Sequence, residues 1–458
     1  MRGDVLFSVR VRDVTVASQN KSLNLQTTER WTKVKFCENL NGLVLNKENK
    51  GSEKGVGGGT VRMASSSSCS VGSPSSLTQR HRPPPSLSPS CIRYAVLGAG
   101  FSGLYVAWHM LKQSSKDSNI RVDIYDEVGI GGGASGVSGG LLHPYSPKAK
   151  LLWRAADCWT ESLNPLSAAV ASAAPNSDGP MPIVRRRGIF RPALSMKNLT
   201  LLKDNAQSCL ASCRIETLDK DASQSLIPCI SPPLDASFCM PEAVNIHPQR
   251  YLQELCASGS GVRELHLHKG SVHKLLDLEG EYQAVIVCLG AKADMLPELC
   301  GRLPLRLCRG VVAHLQLPDD IGEAYPSLGP LILSDAWLAV QRPRCLYMGS
   351  TSEWKSRNSS PNVFADEARE ALKELLPTRA GLRAMPPLTP HGSLCLLGCV
   401  HDIVDENRSS NHWLFGGLGS RGLLYHGWLG KLMAQAVLSC NEELFPHEST
   451  SWKKMNYN

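Results

Sequence analysis

The chain has 458 residues, 42% of them hydrophobic, with a formal net charge of +8 and 16 cysteines. No apolar run approaches the roughly 18 residues that a membrane-spanning helix needs, and the length suits two or three domains. The charge is uneven: residues 1–90 carry 13 Lys/Arg against 6 Asp/Glu, which leaves only +1 on the rest of the chain, without the basic excess of a nucleic-acid-binding domain.

Residues 1–90 show no sustained hydrophobic periodicity, and Gly57–Gly59 and Pro83–Pro85 interrupt them. From Met63 the sequence runs Met-Ala-Ser-Ser-Ser-Ser-Cys-Ser, then is Ser/Pro-rich with Arg80 and Arg82 and no acid before Asp117. A Ser-rich, acid-free, arginine-bearing leader reads as an organellar transit peptide, here of chloroplast type with mitochondrial as the alternative. Met63 is then the expected true start and 1–62 an upstream extension. A plain disordered tail is the competing reading.

The first patterned stretch is Arg93-Tyr-Ala-Val-Leu-Gly98-Ala99-Gly100-Phe101-Ser102-Gly103-Leu104, a short apolar strand, a glycine turn and a helix start. Gly98 suits the tight turn, Gly100 the approach of a pyrophosphate and Gly103 close helix–strand packing, with the helix N-terminus facing the phosphates. A second strand, Arg121–Asp126, ends in an acid 28 positions past Gly98, where a ribose can be held. Strand, helix and acid together predict dinucleotide binding; an ordinary βαβ turn is the alternative. Between Gly129 and Gly140 stand seven glycines in twelve residues, followed by Leu141-Leu142-His143-Pro144. Such a run is entropically costly in a plain loop and fits backbone passing close to a large flat ligand, or else a flexible lid.

Further along, 150–173 and 201–209 read as helices, Arg187–Arg191 as a strand, and Asn245–Leu252 as a strand end and a helix with Pro248 in its first turn. Ala284–Ala291 is a continuous apolar run ending in Gly290, expected as a buried parallel strand. Leu305–Leu315 and Cys345–Thr351 read as antiparallel strands. Phe364, Ala368, Ala371, Leu372 and Leu375 form a helical core stripe. Cys395, Cys399 and His401 fit no standard zinc spacing, so no metal is expected, and the cysteines read as small buried hydrophobes in a reducing compartment. His412–Leu423 repeats the strand, glycine turn and helix start. It places Arg421 near a first helical turn, where the dipole disfavours a cation unless an anion compensates.

Four of these segments occur in the same order in a known family. The chain from about 92 to 440 resembles the FAD-dependent amine and amino-acid oxidases of the glycine oxidase/D-amino-acid oxidase group, and within it the oxidase domain of the bacterial bifunctional enzyme that makes 5-methylaminomethyl-2-thiouridine in tRNA. The matching segments are Gly98–Gly103, Gly133–Gly136 leading to Gly140–Pro144, Val285–Ala291 and Gly417–Leu423. Arg309-Gly310-Val311 departs from the Arg-Gly-Gln frequent in the family, and residues 1–90 read as too short and too polar to be the methyltransferase half of that bifunctional enzyme.

The resemblance implies an α/β fold: a Rossmann-like FAD-binding domain with a parallel sheet, interleaved with a second α+β substrate domain with an antiparallel sheet. The expected division is FAD-binding at 91–150, 246–300 and 401–445, substrate domain at 151–245 and 301–400, and a tail at 446–458. It implies FAD held by Gly98, Ala99, Gly100, Phe101, Ser102 and Gly103, by Asp126 at the ribose, and by Ala134, Ser135, Gly136, Gly290, Gly419, Ser420, Arg421, Gly422 and Leu423. Arg421, Arg309 and His143 are the candidates for the reaction. That reaction is oxidation of a C–N bond of a small amino acid or secondary amine, by hydride transfer to flavin, imine hydrolysis and reoxidation by dioxygen. Electron transfer to another acceptor, the oxidase step of tRNA wobble-uridine modification, and an FAD-binding assembly factor without turnover are the alternatives; the near-neutral core argues mildly against tRNA.

Overall fold

The computed structural model describes residues 5–13, 28–36 and 91–454. Within the last span it leaves out 115–118, 174–181, 229, 261–263, 317–328, 335, 343–344, 351, 355–376, 386–387, 390–391, 401–403 and 405–410. The core of the fold starts from two apolar runs, β1 (Ile92–Leu97) and β4 (Ala284–Val287), which pair in parallel with Val96 opposite Ile286. β2 (Ile120–Asp126) and β3 (Glu264–Lys269) extend the sheet on one side. β6 (His412–Gly416) and the antiparallel edge strand β5 (Leu396–Cys399) extend it on the other, for an order β3-β2-β1-β4-β6-β5. The chain leaves β1 in one direction for β2 and later returns on the other flank through β4, so the carboxyl ends of β1 and β4 form a topological switch point, where open α/β sheets bind ligands.

Side chains alternate across this sheet because the strand period is two. Tyr94, Val96, Val122, Ile124, Ile286 and Phe415 face the helices α1 (Phe101–Gln113), α3 (Pro248–Ser260) and α4 (Gly422–Ser439) in the main core. Ala95, Leu97, Val285, Val287 and Leu414 face a second cluster with Leu275, Leu299, Leu303 and Trp452. The helix α2 (Ala155–Ala173), assigned by sequence to the substrate domain, packs instead on α3 and α4. It carries Pro165 in its interior, which removes the hydrogen bond to the Glu161 carbonyl. Tyr105 of α1 donates its hydroxyl to that freed carbonyl at 3.5 Å.

The second sheet has eight strands. In spatial order they are Pro377–Met385, Arg306–Gln316, Cys345–Gly349, Trp337–Arg342, Leu331–Leu333, Ile189–Pro192, Ala236–Met240 and Glu216–Asp219. All neighbours are antiparallel except Leu331–Leu333 and Ile189–Pro192. A small sheet of Leu141–Leu142, Val244–Ile246 and Val184–Arg185 follows the glycine run. The fold is therefore α/β, with a mostly parallel sheet and a separate, mostly antiparallel sheet interleaved along the chain.

Several expectations need correction. Leu396–Cys399, placed by sequence in the second domain, pairs with β6. Residues 446–454 are not a tail. Trp452 is buried and donates its indole N–H to the Leu397 carbonyl at 3.0 Å, while Glu442 accepts the Cys399 amide at 3.0 Å and pairs with Lys453. These contacts cover an edge strand that would otherwise present open backbone groups. Within residues 1–90, Val5–Asp13 and Thr28–Phe36 form an antiparallel pair, over stretches whose alternation is too local to register as sustained periodicity. Residues 37–90, the stripe Phe364–Leu375 and His401 lie outside the described residues. Among the described residues, no group of His, Cys, Asp and Glu is placed to hold a metal ion, and no helix is long and apolar enough to cross a membrane.

Candidate functional site

The turn between β1 and α1 is built by close backbone approaches. Gly98 sits at φ +107°, and a Cβ there would lie 2.5 Å from the Cys288 carbonyl oxygen at the end of β4. A Cβ on Gly103 would run into the Gly98 carbonyl, so the helix leaves the strand at a distance only glycine permits. The turn is tied to the acid at the end of β2: the Ala99 amide donates to Asp126 Oδ2 at 2.8 Å, and the Val128 and Gly129 amides donate to Oδ1 at 3.0 and 2.8 Å. Three of the roughly four acceptor positions of this carboxylate thus organise the loop, leaving one for a ligand hydroxyl. The Phe101 amide donates to Ser135 Oγ at 3.1 Å, and the Gly131 amide to the Ala99 carbonyl at 2.9 Å, bringing the glycine run onto the same turn. Ser102 is buried beside Cys288, whose thiol burial pushes up to about 12, partly offset by a hydrogen bond with Ser102.

The glycine run is dense for reasons within the protein. A Cβ on Gly136 would strike the Gly131 carbonyl and the Gln249 side chain, and one on Gly140 would strike the Ile246 carbonyl. Gln249, at the start of α3, donates its amide to the Ile130 carbonyl at 2.6 Å and pins the loop. Trp337 lays its indole 2.7 Å from the place of a Cβ on Gly139 and 2.6 Å from that on Gly349. Both residues escaped sequence reasoning because their partners in the glycine run are over a hundred positions away. Ala134 and Gly136 flank Ser135 on the half-buried side of the loop, and Gly133 is exposed with open space at its Cβ.

The second glycine turn follows β6. Gly417 and Gly419 have φ +67° and +56°, Gly419–Arg421 forms one 3-10 turn, and α4 begins at Gly422. Ser420 is exposed and Leu423 buried. A Cβ on Gly422 would lie 3.4 Å from the Phe101 ring, so the N-termini of α1 and α4 stand side by side. Neither has a side-chain cap or an acid in its first turn. Two adjacent helix ends, one of them carrying the Arg421 side chain at its N-cap position, make a positive field suited to an anionic group. These residues fit a dinucleotide.

Arg421 points its Nη1 at His143 Nε2, 3.2 Å away, across 278 positions of sequence. Burial lowers the Arg421 pKa, and among the described residues no carboxylate pairs with it. His143 is buried, and its pKa is held well below the ordinary value by burial and then by the charges of Arg421 and Arg191, so the ring is neutral. Arg309 is placed differently. Its Nη1 meets Glu353 Oε2 at 2.9 Å, and the two residues also exchange backbone hydrogen bonds of 3.0 and 2.8 Å. A carboxylate 44 positions away thus holds one nitrogen of the guanidinium, and the pair cross-links two segments. Gly290, at φ +58°, opens the 3-10 turn Gly290–Met295 after β4. The edge strand Pro377–Met385 of the second sheet approaches this turn and Gly419–Arg421, setting the antiparallel sheet over the switch point.

The family described as DAO, FAD dependent oxidoreductase, matches residues 93–436. No curated protein sequence matches the chain. Among solved structures, the chain is similar to iminodiacetate oxidase from Chelativorans sp. BNC1, with TM-score 0.59 and 18% identity over 78% of this chain and 98% of that one. It is similar to glycine oxidase from Geobacillus kaustophilus (TM-score 0.57, 16% identity, the same coverages). It is also similar to L-proline dehydrogenase from P. horikoshii, with TM-score 0.59 and 14% identity over 80% of this chain and 98% of that one.

Proposed function

The chain belongs to the DAO family of FAD dependent oxidoreductases, and from that premise we propose that it oxidises a C–N bond of a small amino acid or secondary amine, with dioxygen as final acceptor. When bound, FAD would supply the two-electron acceptor for that oxidation. The first turn of α1, from Gly100 to Gly103, would hold its pyrophosphate, and the remaining acceptor position of Asp126 its ribose. Ala134–Gly136, Gly290 and Gly419–Leu423 would line its path toward the second sheet.

One observation carries the reading: Arg421, a partly desolvated guanidinium whose side-chain hydrogen-bond partner among the described residues is a neutral imidazole. A cation so placed stabilises a bound anion far more than an exposed one does, because low local dielectric strengthens the attraction. A substrate carboxylate meets that requirement and would orient the neighbouring amine. The chain offers no side-chain nucleophile of the usual signature, in keeping with chemistry supplied by a cofactor. The oxidase half of the reading is supported by the iminodiacetate and glycine oxidases among the similar structures, and the L-proline dehydrogenase marks where it can fail. Purified protein mixed with glycine, sarcosine or iminodiacetate is expected to release hydrogen peroxide. Flavin bleaching by an amine without peroxide would reject the oxidase in favour of a dehydrogenase, and no bleaching by any amine would reject the reaction.

A further inference from the structure

His143 lies between two donors. The Arg421 guanidinium stands 3.2 Å from Nε2, and the Tyr145 backbone amide stands 3.3 Å from Nδ1. A neutral imidazole has one lone pair and one N–H, while arginine and a backbone amide can only donate. One donor therefore faces a proton in whichever tautomer forms. The charge-assisted bond is the stronger, so without ligand Nε2 accepts from Arg421 and the Nδ1 proton opposes the Tyr145 amide. A buried donor left unpaired in this way costs on the order of 1–3 kcal/mol.

We propose that His143 and Arg421 are a paired clamp for a substrate carboxylate, closed by a change of imidazole tautomer. The carboxylate accepts one N–H from Arg421 and one from Nε2 of His143. The proton that sat on Nδ1 now sits on Nε2, and Nδ1 accepts from the Tyr145 amide. No proton is gained or lost overall, and the Arg421 N–H, the Nε2–H and the Tyr145 amide each find an acceptor. The clamp rests on the reading of the site as one for amino-acid-like amines, and makes His143 a binding residue that discriminates carboxylated amines from plain ones.

The test uses the FAD-loaded enzyme and acetate as the probe. Acetate binding is measured by calorimetry for the wild type, His143→Phe, His143→Gln and Arg421→Gln, with retained flavin absorbance and thermal midpoint as the check on folding. Loss of one charge-assisted hydrogen bond is expected to weaken acetate about 10-fold or more in His143→Phe. His143→Gln, which restores an N–H donor, is expected to recover most of it, and Arg421→Gln to abolish binding. In the wild type, 15N NMR of labelled histidine is expected to show one imidazole passing from the Nδ1–H to the Nε2–H form on acetate addition. Equal affinities in wild type and His143→Phe, an unchanged tautomer, or a wild type that binds no acetate would each overturn the clamp. If the wild type still oxidises glycine or sarcosine in those cases, the proposed function stands without it. His143-dependent acetate binding in an enzyme that oxidises no amine would leave the clamp and reject the function.

Discussion

A methyl group at Gly103 would occupy the place of the Gly98 carbonyl oxygen. Gly103→Ala is therefore expected to displace α1 from β1 and to yield protein without flavin absorbance; a yellow, stable variant would show that the turn can relax. Such constraints are local, which is why this turn could be read from twelve consecutive residues. Asp126 was legible as a strand-end acid, but its service to three backbone amides was not, because those bonds depend on how the 126–131 loop turns back. Arg309 is the opposite lesson. Its sequence context suggested a place near the reacting atoms, and its partner Glu353 could not be found without the fold. Glu353→Gln strands a buried guanidinium and is expected to lower stability by about 3 kcal/mol. Chemical denaturation would measure it, and a change below about 0.5 kcal/mol would reject the structural duty assigned to Arg309.

At the scale of elements, the parallel strands and their flanking helices were legible because burial on both faces leaves continuous apolar runs, as in Ala284–Val287. The allegiance of α2 was not, since an amphipathic helix carries no record of which neighbour it covers. The short segment after α4 also hid its duty, with Trp452 as the one strong apolar anchor in nine residues. Trp452→Ala removes a buried indole and its bond to the Leu397 carbonyl, at a cost of about 3–5 kcal/mol. The variant is expected to melt well below the wild type and to aggregate as the edge strand β5 loses its cover. Wild-type melting behaviour would contradict the sealing role.

At the scale of the whole molecule, three of the four histidines buried among the described residues shape the response to acid. Burial, then the charges of Lys431 and Lys112, lowers the His109 pKa to about 3, and burial lowers that of His426 to about 4, with His143 also depressed. The unfolded chain takes up these protons near the ordinary 6.5, so stability is full above that pH and is lost as pH falls toward 4 and 3. The loss is roughly 1.4 kcal/mol per pH unit for each histidine in its window. Asp123 adds a lower step. Burial raises its pKa, but hydrogen bonds from Arg121, His268 and Arg93 outweigh this and hold it at about 2, so its stabilisation is lost as pH falls from 3.8 toward 2. Melting curves at pH 7, 6 and 5 are expected to show a progressive fall, and a flat response over that range would contradict neutral burial of the three imidazoles.

The measurement that bears most directly on a flavin enzyme of amine oxidation is the absorption spectrum of the purified protein before and after anaerobic addition of glycine, sarcosine and iminodiacetate. Oxidised-flavin bands that bleach with a carboxylated amine, and return with peroxide when air is admitted, are the expected result. A folded protein that is colourless and takes up no added FAD would contradict it, and the two adjacent helix ends at the switch point would then need another anion.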